Sequence, residues 1–382
     1  MASVAEVCSE LEEAVGALCA ADPTALGSGD TIVFLHRQLA RLEAATTRAA
    51  AAFDAGRSWE AHGARSAAAW IAVRCHVPRP AAQRRVRLGR ELRTLPLVEE
   101  AWLGGDVGEA QVQQLARART PKRGEVFARD EELLVGFATK LRYGAFARAL
   151  AYWCYRGDPA GCEDEAEKDY EARRFHLSRG FANTWVADGL FDVVGGTIVA
   201  SELERIEQEL FDVDWAQAKA RVGEGVCAAD LGRSPAQRRA DALAEMAERS
   251  RAMPAGSRMP EPLFSVFVNY ETFAGPICEL ASGLPVTPGS LLRYLDTAWI
   301  ERVVFESPSR VIDMGARRRL FTGATRRAVQ VRDRECFHEF CDLPAERCEI
   351  DHIEPWSAGG LTTEGNGRAA CDFHNQQRHR RP

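Results

Sequence analysis

Lysine is nearly missing from this chain: only 4 of its 49 basic residues are lysine, and the rest are arginine. The bias leaves the planar fork of arginine available for bidentate contacts with phosphate. Long apolar runs are missing too. No stretch approaches the ~20 residues that a membrane-spanning helix needs, which excludes an integral helical membrane protein. The first residues, "MASVAEVCSELEEAVGALC", carry acids where a secretory signal would carry bases. The expectation is a cytoplasmic protein. Internal repeats and low-complexity tracts are lacking as well.

What is present is an ordinary globular composition. Hydrophobic residues make up 46% and charged residues 27% of 382 positions, enough for two or three domains with a sizeable core. The net charge is −6, but residues 317–382 carry +2 against −8 for the remainder. That basic end is a slight pointer to a polyanion. Seven of the 11 cysteines are scattered over the first 316 residues, whereas Cys336, Cys341, Cys348 and Cys371 crowd into 36. Crowding of this kind in a reducing compartment points to metal before disulfide.

Residues 1–170 read as a helical bundle. Apolar residues recur every three or four positions in "IVFLHRQLARLEAATTRAAAAFD" and in "AAQRRVRLGRELRTLPLVEEAWLGG", a helix expected to stop at its Gly pair. Asp106 is expected to cap the next helix. Residues 171–316 read as a mixed α/β region. "EARRFHLSRGFANTWVADGLFDVVGGTI" alternates like a hairpin or short meander broken at its glycines, and a helix is expected from about Ser201. Ser234, Pro235 and Gln237 form a capping box for another helix. "RMPEPLFSVFVNYETF" is β-rich, and residues 301–322 suggest two strands around a Ser-Pro turn. Residues 214–233 and 251–262 read as linkers.

The chemistry concentrates in residues 317–382. Cys336 and Cys341 form C-x4-C, and Cys371 and His374 form C-x2-H. Two such pairs complete a closed tetrahedral zinc site, structural because no position stays open for substrate. Cys348 is an alternative ligand, although its place at a strand start favours the core. Inside this frame lie adjacent Asp351 and His352, then Asn366, Asn375 and His379. "EIDHIEPW" reads as a strand entering a loop, "SAGGLTTEGNGRAA" as a glycine-rich loop with a return strand, and "CDFHNQQRHRR" as a short helix.

This segment resembles the HNH nuclease family, whose ββα-metal fold carries the motif His, Asn, His or Asn. His352, Asn366 and Asn375 match its three positions, and Asp351 matches the ligand before the first His. More broadly, "RRADALAEMA" followed by "RRAVQVRDRECFHEFCDLPAERCEIDHIEPW" is similar to actinobacterial proteins of the thirteen-E-twelve repeat type. These join a helical domain of unknown function to a C-terminal HNH domain. Relatives often show His-His at Asp351-His352 and His at Asn375. The resemblance implies an α+β protein: a mainly helical N-terminal region, a small mixed middle and a zinc-stabilised ββα-metal domain.

The function expected is metal-dependent endonuclease cleavage of DNA, leaving 5′-phosphate and 3′-hydroxyl ends by resemblance. A neutral His352 is a suitable general base near pH 7. Oxygen ligands from Asp351 and Asn375, with His379 a further candidate, suit Mg²⁺ or Mn²⁺. Asn366, by resemblance, braces the loop that carries His352. Arg378, Arg380 and Arg381 are candidate DNA-backbone contacts, and cutting both strands would favour a homodimer. The alternative is a non-catalytic, zinc-stabilised DNA-binding or regulatory protein derived from such a nuclease.

Overall fold

The computed structural model describes residues 3–180, 184–252, 263–269, 278–280, 284–292, 299–305 and 320–375. The chain divides into two compact units, Met1–Asp158 and Pro159–Pro382. Among the described residues no helix is long and apolar enough to cross a membrane.

The first unit is helical throughout. Its helices are α1 (Val4–Ala20), α2 (Pro23–Leu26), α3 (Gly29–Ala55), α4 (Ala67–Arg74), α5 (Arg79–Glu91), α6 (Pro96–Gly104), α7 (Glu109–Ala118), α8 (Gly124–Lys140) and α9 (Tyr143–Gly157). Its main core gathers Leu95, Val98, Trp102, Leu115, Phe127, Leu134 and Phe146, all fully buried. The single helix expected across residues 81–105 is two. Pro96 has no N–H to continue α5, and a 3₁₀ turn at Leu92–Thr94 separates α5 from α6.

The new N-terminus of α6 is satisfied from a distance. Oε1 of buried Glu131 on α8 accepts hydrogen bonds from the Leu97 and Val98 amides at 2.9 and 3.0 Å. Helix α6 ends at Gly105 with φ of 76°, a left-handed conformation that disfavours a side chain. Asp106 does not cap α7, contrary to expectation. Its carboxylate pairs with Arg37 at 3.2 Å, and α7 starts after Gly108, whose amide donates to Gln111 Oε1.

The second unit mixes helices with small sheets. It comprises α10 (Pro159–Glu171), β1 (Arg174–Arg179), β2 (Trp185–Leu190), α11 (Val193–Val222), α12 (Pro235–Ala252), β3 (Leu263–Asn269), β4 (Cys278–Glu279), β5 (Pro285–Val286), α13 (Pro288–Leu292), β6 (Trp299–Phe305), α14 (Gly323–Asp333), β7 (Glu349–His352) and β8 (Gly367–Ala370). Strands β1 and β2 form the expected antiparallel hairpin. Strands β5, β4, β3 and β6 form one sheet in that order, with β3 and β6 parallel.

Helix α11 begins earlier than expected. Asp192 accepts from the Gly195 amide and caps it, so Gly195 and Gly196 sit in its first turn instead of breaking the chain. Residues 214–222 are helix and not linker, because buried Asp214 is held by Arg233 at 2.7 Å and Arg238 at 3.6 Å. The Arg233 guanidinium, hydrogen-bonded to it, lowers the Asp214 carboxyl below its ordinary range. Ser234 and Gln237 form the expected capping box: each backbone amide donates to the other's side chain. Of the two strands expected in 301–322, β6 ends at Phe305 and residues 306–319 lie outside the described residues. Most of the expected linker at 251–262 lies outside them as well.

Removal of the Glu131 carboxylate strands two amides of a buried helix start. Glu131→Ala is expected to lower unfolding free energy by about 1–3 kcal/mol, read as a lower urea midpoint for the first unit. An unchanged midpoint would refute the capping role.

Candidate active site

Helix α14 and the β7–β8 hairpin form the scaffold. The two strands pair antiparallel, with Asp351 opposite Arg368 and His352 opposite Gly367. Several α14 side chains tie the helix to this frame. Arg332 donates to the carbonyls of Glu364 and Gly367 at 2.7 and 2.6 Å. Gln330 donates to Ala345 O, and Arg326 to Cys348 O. Asp333 Oδ2 accepts from the Ala369 amide at 2.8 Å.

Cys336, Cys341, Cys371 and His374 converge, their ligand atoms all within 4.8 Å of one another. Cys371 Sγ lies 3.1 Å and Cys336 Sγ 3.5 Å from His374 Nδ1, and Cys341 Sγ is 4.0 Å from Cys371 Sγ. Zinc bonds of about 2.0–2.3 Å in a tetrahedron separate donors by about 3.3–3.8 Å. The four donors, at separations from 3.1 Å up to 4.8 Å, lie within about an ångström of that arrangement. The His338 ring stacks on His374 at 3.9 Å and 5°, fixing the plane of the imidazole. Cys348 is buried and bonds toward Leu343 O. Burial, and then its sulfur neighbours, push its thiol up to about 12, so it stays neutral and packs as core.

Asp351 and His352 lie on β7, and Asn366 lies just before β8. Side chains alternate across a strand, so Glu349 and Asp351 share one face of β7, and Ile350 and His352 the other. Asp351 Oδ2 accepts from Arg368 Nε and Nη2 at 3.2 and 3.1 Å. Arg368 is itself seated over the Phe337 ring at 3.8 Å. His352 Nε2 lies 2.9 Å from Thr362 Oγ1, and its ring lies against Phe321 at 4.6 Å.

Asn366 makes three side-chain hydrogen bonds. Its Oδ1 accepts from the Glu354 amide at 2.8 Å, and its Nδ2 donates to Glu354 O at 3.2 Å and Leu361 O at 2.8 Å. The loop after His352 is thereby folded back on itself. Gly360 makes this possible, because a Cβ there would strike the Glu354 carbonyl and lie 2.9 Å from Asn366 Nδ2.

Asn375 lies in the helical turn at residues 372–375, its amide bonded to Cys371 O. Its Nδ2 donates to Glu349 Oε2 at 2.7 Å. Its Oδ1 is buried and has no hydrogen-bond partner among the described residues. An orphaned amide oxygen on the carboxylate-bearing side of β7 fits a hard cation. His379, Arg378, Arg380 and Arg381 lie outside the described residues. Glu349, Thr362, Arg368 and α14 itself were missed in the sequence. Glu349 and Arg368 follow from strand register, whereas nothing in the sequence signals Thr362.

Metal analysis of the purified chain is expected to return bound zinc. Cys371→Ser should release it and expose residues 334–375 to protease, because binding energy is folding energy in so small a segment. Cys348→Ser should keep it. Zinc retained by the first variant and lost by the second would exchange their roles.

Comparison with known proteins identifies the families of the two parts of the chain. Residues 32–333 match the family described as "Domain of unknown function (DUF222)", and residues 335–381 match "HNH endonuclease". Two proteins of Mycobacterium tuberculosis, named Uncharacterized protein MT2160 (strain CDC 1551 / Oshkosh) and Uncharacterized protein Rv2100 (strain H37Rv), are each 45% identical over 47 residues. That stretch is 12% of this chain and spans only 8% of either relative's length. No solved structure gives a significant match. The first of the two family matches spans more than half of the chain, which belongs to the DUF222 family and ends in an HNH endonuclease domain.

Proposed function

We propose that the chain is a metal-dependent endonuclease that hydrolyses DNA phosphodiesters, with His352 as general base. The observation that carries this reading is the Asn366 clamp. Three hydrogen bonds from one amide hold the loop that begins just after His352. A polar side chain so fully spent on its own backbone keeps a neighbouring group in place.

Thr362 supplies the second constraint. A hydrogen bond between His352 Nε2 and Thr362 Oγ1 at 2.9 Å fixes the orientation of the imidazole that we assign as the base. On the other face of β7, Asp351 and Asn375 would hold Mg²⁺ or Mn²⁺. The ion supplies a Lewis acid for the phosphate and the leaving oxygen when bound. Glu349 accepts from Asn375 Nδ2, which would leave the amide oxygen to face a bound cation. Arg368 balances the Asp351 charge and keeps the carboxylate on one side of the strand. We further assign α14 to the nuclease part, since Arg326, Gln330 and Arg332 all bond to it. A division at 1–170, 171–316 and 317–382 respects that assignment.

Supercoiled plasmid incubated with the chain is expected to be nicked in Mg²⁺ or Mn²⁺ and left intact in EDTA. His352→Ala should lower the rate by about 10²–10⁴, the usual range for a lost general base. No cleavage by folded, zinc-loaded protein under either metal would sink the reading.

Thr362→Val keeps the shape but loses the hydroxyl partner of His352 Nε2. Its nicking rate is expected to fall while binding of the plasmid and of Mn²⁺ stays unchanged. A rate equal to that of the unaltered chain would remove Thr362 from the mechanism.

A further inference from the structure

The largest charge imbalance in the chain lies far in sequence from the candidate active site. From Arg57 to Arg93 the sequence holds nine arginines and two glutamates. That is a net +7 within a chain of net −6. The fold places most of these charges on and around two helices. Helix α4 has 8 residues and α5 has 13, with the short turn Cys75–Pro78 between them. Both pack on α3 through a small core of Ala50, Phe53, Ala67, Ala82 and Val86. A short helix, a tight turn and a longer helix with one open face is helix-turn-helix connectivity.

The open face of α5 is basic. The helix buries Ala82, Val86, Leu88 and Gly89, which leaves Arg79, Gln83, Arg84, Arg87 and Arg90 exposed. Positions 79, 83, 87 and 90 are neighbours on successive turns. Gly89 seats the helix tightly, since a Cβ there would lie 2.7 Å from Thr47 O. Arg90 is committed to Asp54, and Arg87 lies 3.7 Å from Glu91. Neither Arg79 nor Arg84 has an ion pair among the described residues.

We propose that α4, its turn and α5 form a second DNA-contact surface, with the arginine ridge of α5 laid against the phosphates of a duplex. The ridge runs about 16 Å along the helix, and a duplex offers a phosphate charge every ~1.7 Å of its axis. A continuous polyanion meets such a line of guanidiniums better than a few acidic side chains do. Contacts of this kind give affinity and orientation without sequence choice. The surface needs neither His352 nor a metal, and so it stands apart from the nuclease reading.

The test is fluorescence anisotropy of a labelled DNA duplex with the full chain in magnesium-free buffer, over a salt series. Arg79→Ala/Arg84→Ala/Arg87→Ala is expected to weaken binding at least about tenfold and to flatten the salt slope by about 2.7, at ~0.9 for each phosphate no longer neutralised. Lysine at the same three positions should keep the slope. In the unaltered chain, DNA should slow phenylglyoxal labelling of Arg79 and Arg84, a readout that needs no variant to fold. Any of three results would overturn the proposal. One is labelling unaffected by DNA. Another is equal loss from Arg239→Ala/Arg249→Ala/Arg251→Ala on α12. The third is tighter binding of an RNA duplex at the same ridge.

Discussion

Three sulfurs and one imidazole nitrogen, drawn within 4.8 Å of one another, close the C-terminal segment into a fold. Cys336 and Cys341 precede β7, while Cys371 and His374 follow β8. A single cluster thus joins both ends of the hairpin that carries the candidate chemistry. The apolar residues there are few: Ala345, Ala369 and Cys348 are buried, with Leu343 and Ile350 partly so. A core of that size cannot offset the chain entropy of some forty ordered residues. The donors at the cluster therefore decide whether the segment folds. Helix α14 completes the arrangement, through hydrogen bonds from Arg332 to the backbone carbonyls of Glu364 and Gly367.

Within that frame each polar side chain of the site is committed to a defined neighbour. Asn366 is spent on Glu354 and Leu361, Asn375 is oriented by Glu349, and Asp351 is matched by Arg368. The commitments differ in kind. Asn366 uses both ends of its amide on the loop, which suits a brace. Asn375 uses only its nitrogen and keeps a buried oxygen unpartnered among the described residues. Two asparagines of one motif are separated by what their oxygens do, and only the second leaves one for a cation.

Much of this was legible in the sequence because ligand spacing is local. C-x4-C and C-x2-H each place two donors on one turn, so both pairs were readable without tertiary information. The hairpin β7–β8 and the capping box at Ser234 were readable for the same reason. Failures occurred where a distant group intervened. Asp106 looked like a helix cap, but Arg37, far off in sequence, takes its carboxylate. Residues 214–222 looked like a linker until Arg233 and Arg238 buried Asp214 in helix α11. The glycines after Asp192 looked like a break, yet one cap was enough to start a helix of 30 residues through them. Local propensity lost in each case to an ion pair or a cap, the interactions that a window of neighbouring residues does not contain.

The charge of the chain teaches the same lesson on a larger scale. A net −6 would argue against a nucleic-acid partner, and the modest excess at the C-terminal end would carry any case for one. Electrostatic attraction does not act through the total, however. Charges farther apart than the ~8–10 Å Debye length are screened from each other, so a phosphate near α5 responds to the arginines beside it and hardly to acids elsewhere. With Arg79, Arg84 and Arg87 on one open face, the charge that a ligand there meets first is positive. Binding and cutting also make different demands. Affinity needs several cations and tolerates imprecise placement, whereas cleavage needs one base and one cation held to within fractions of an ångström. A chain that divided these tasks could keep its asparagine clamp small, because the clamp would not also have to hold the DNA.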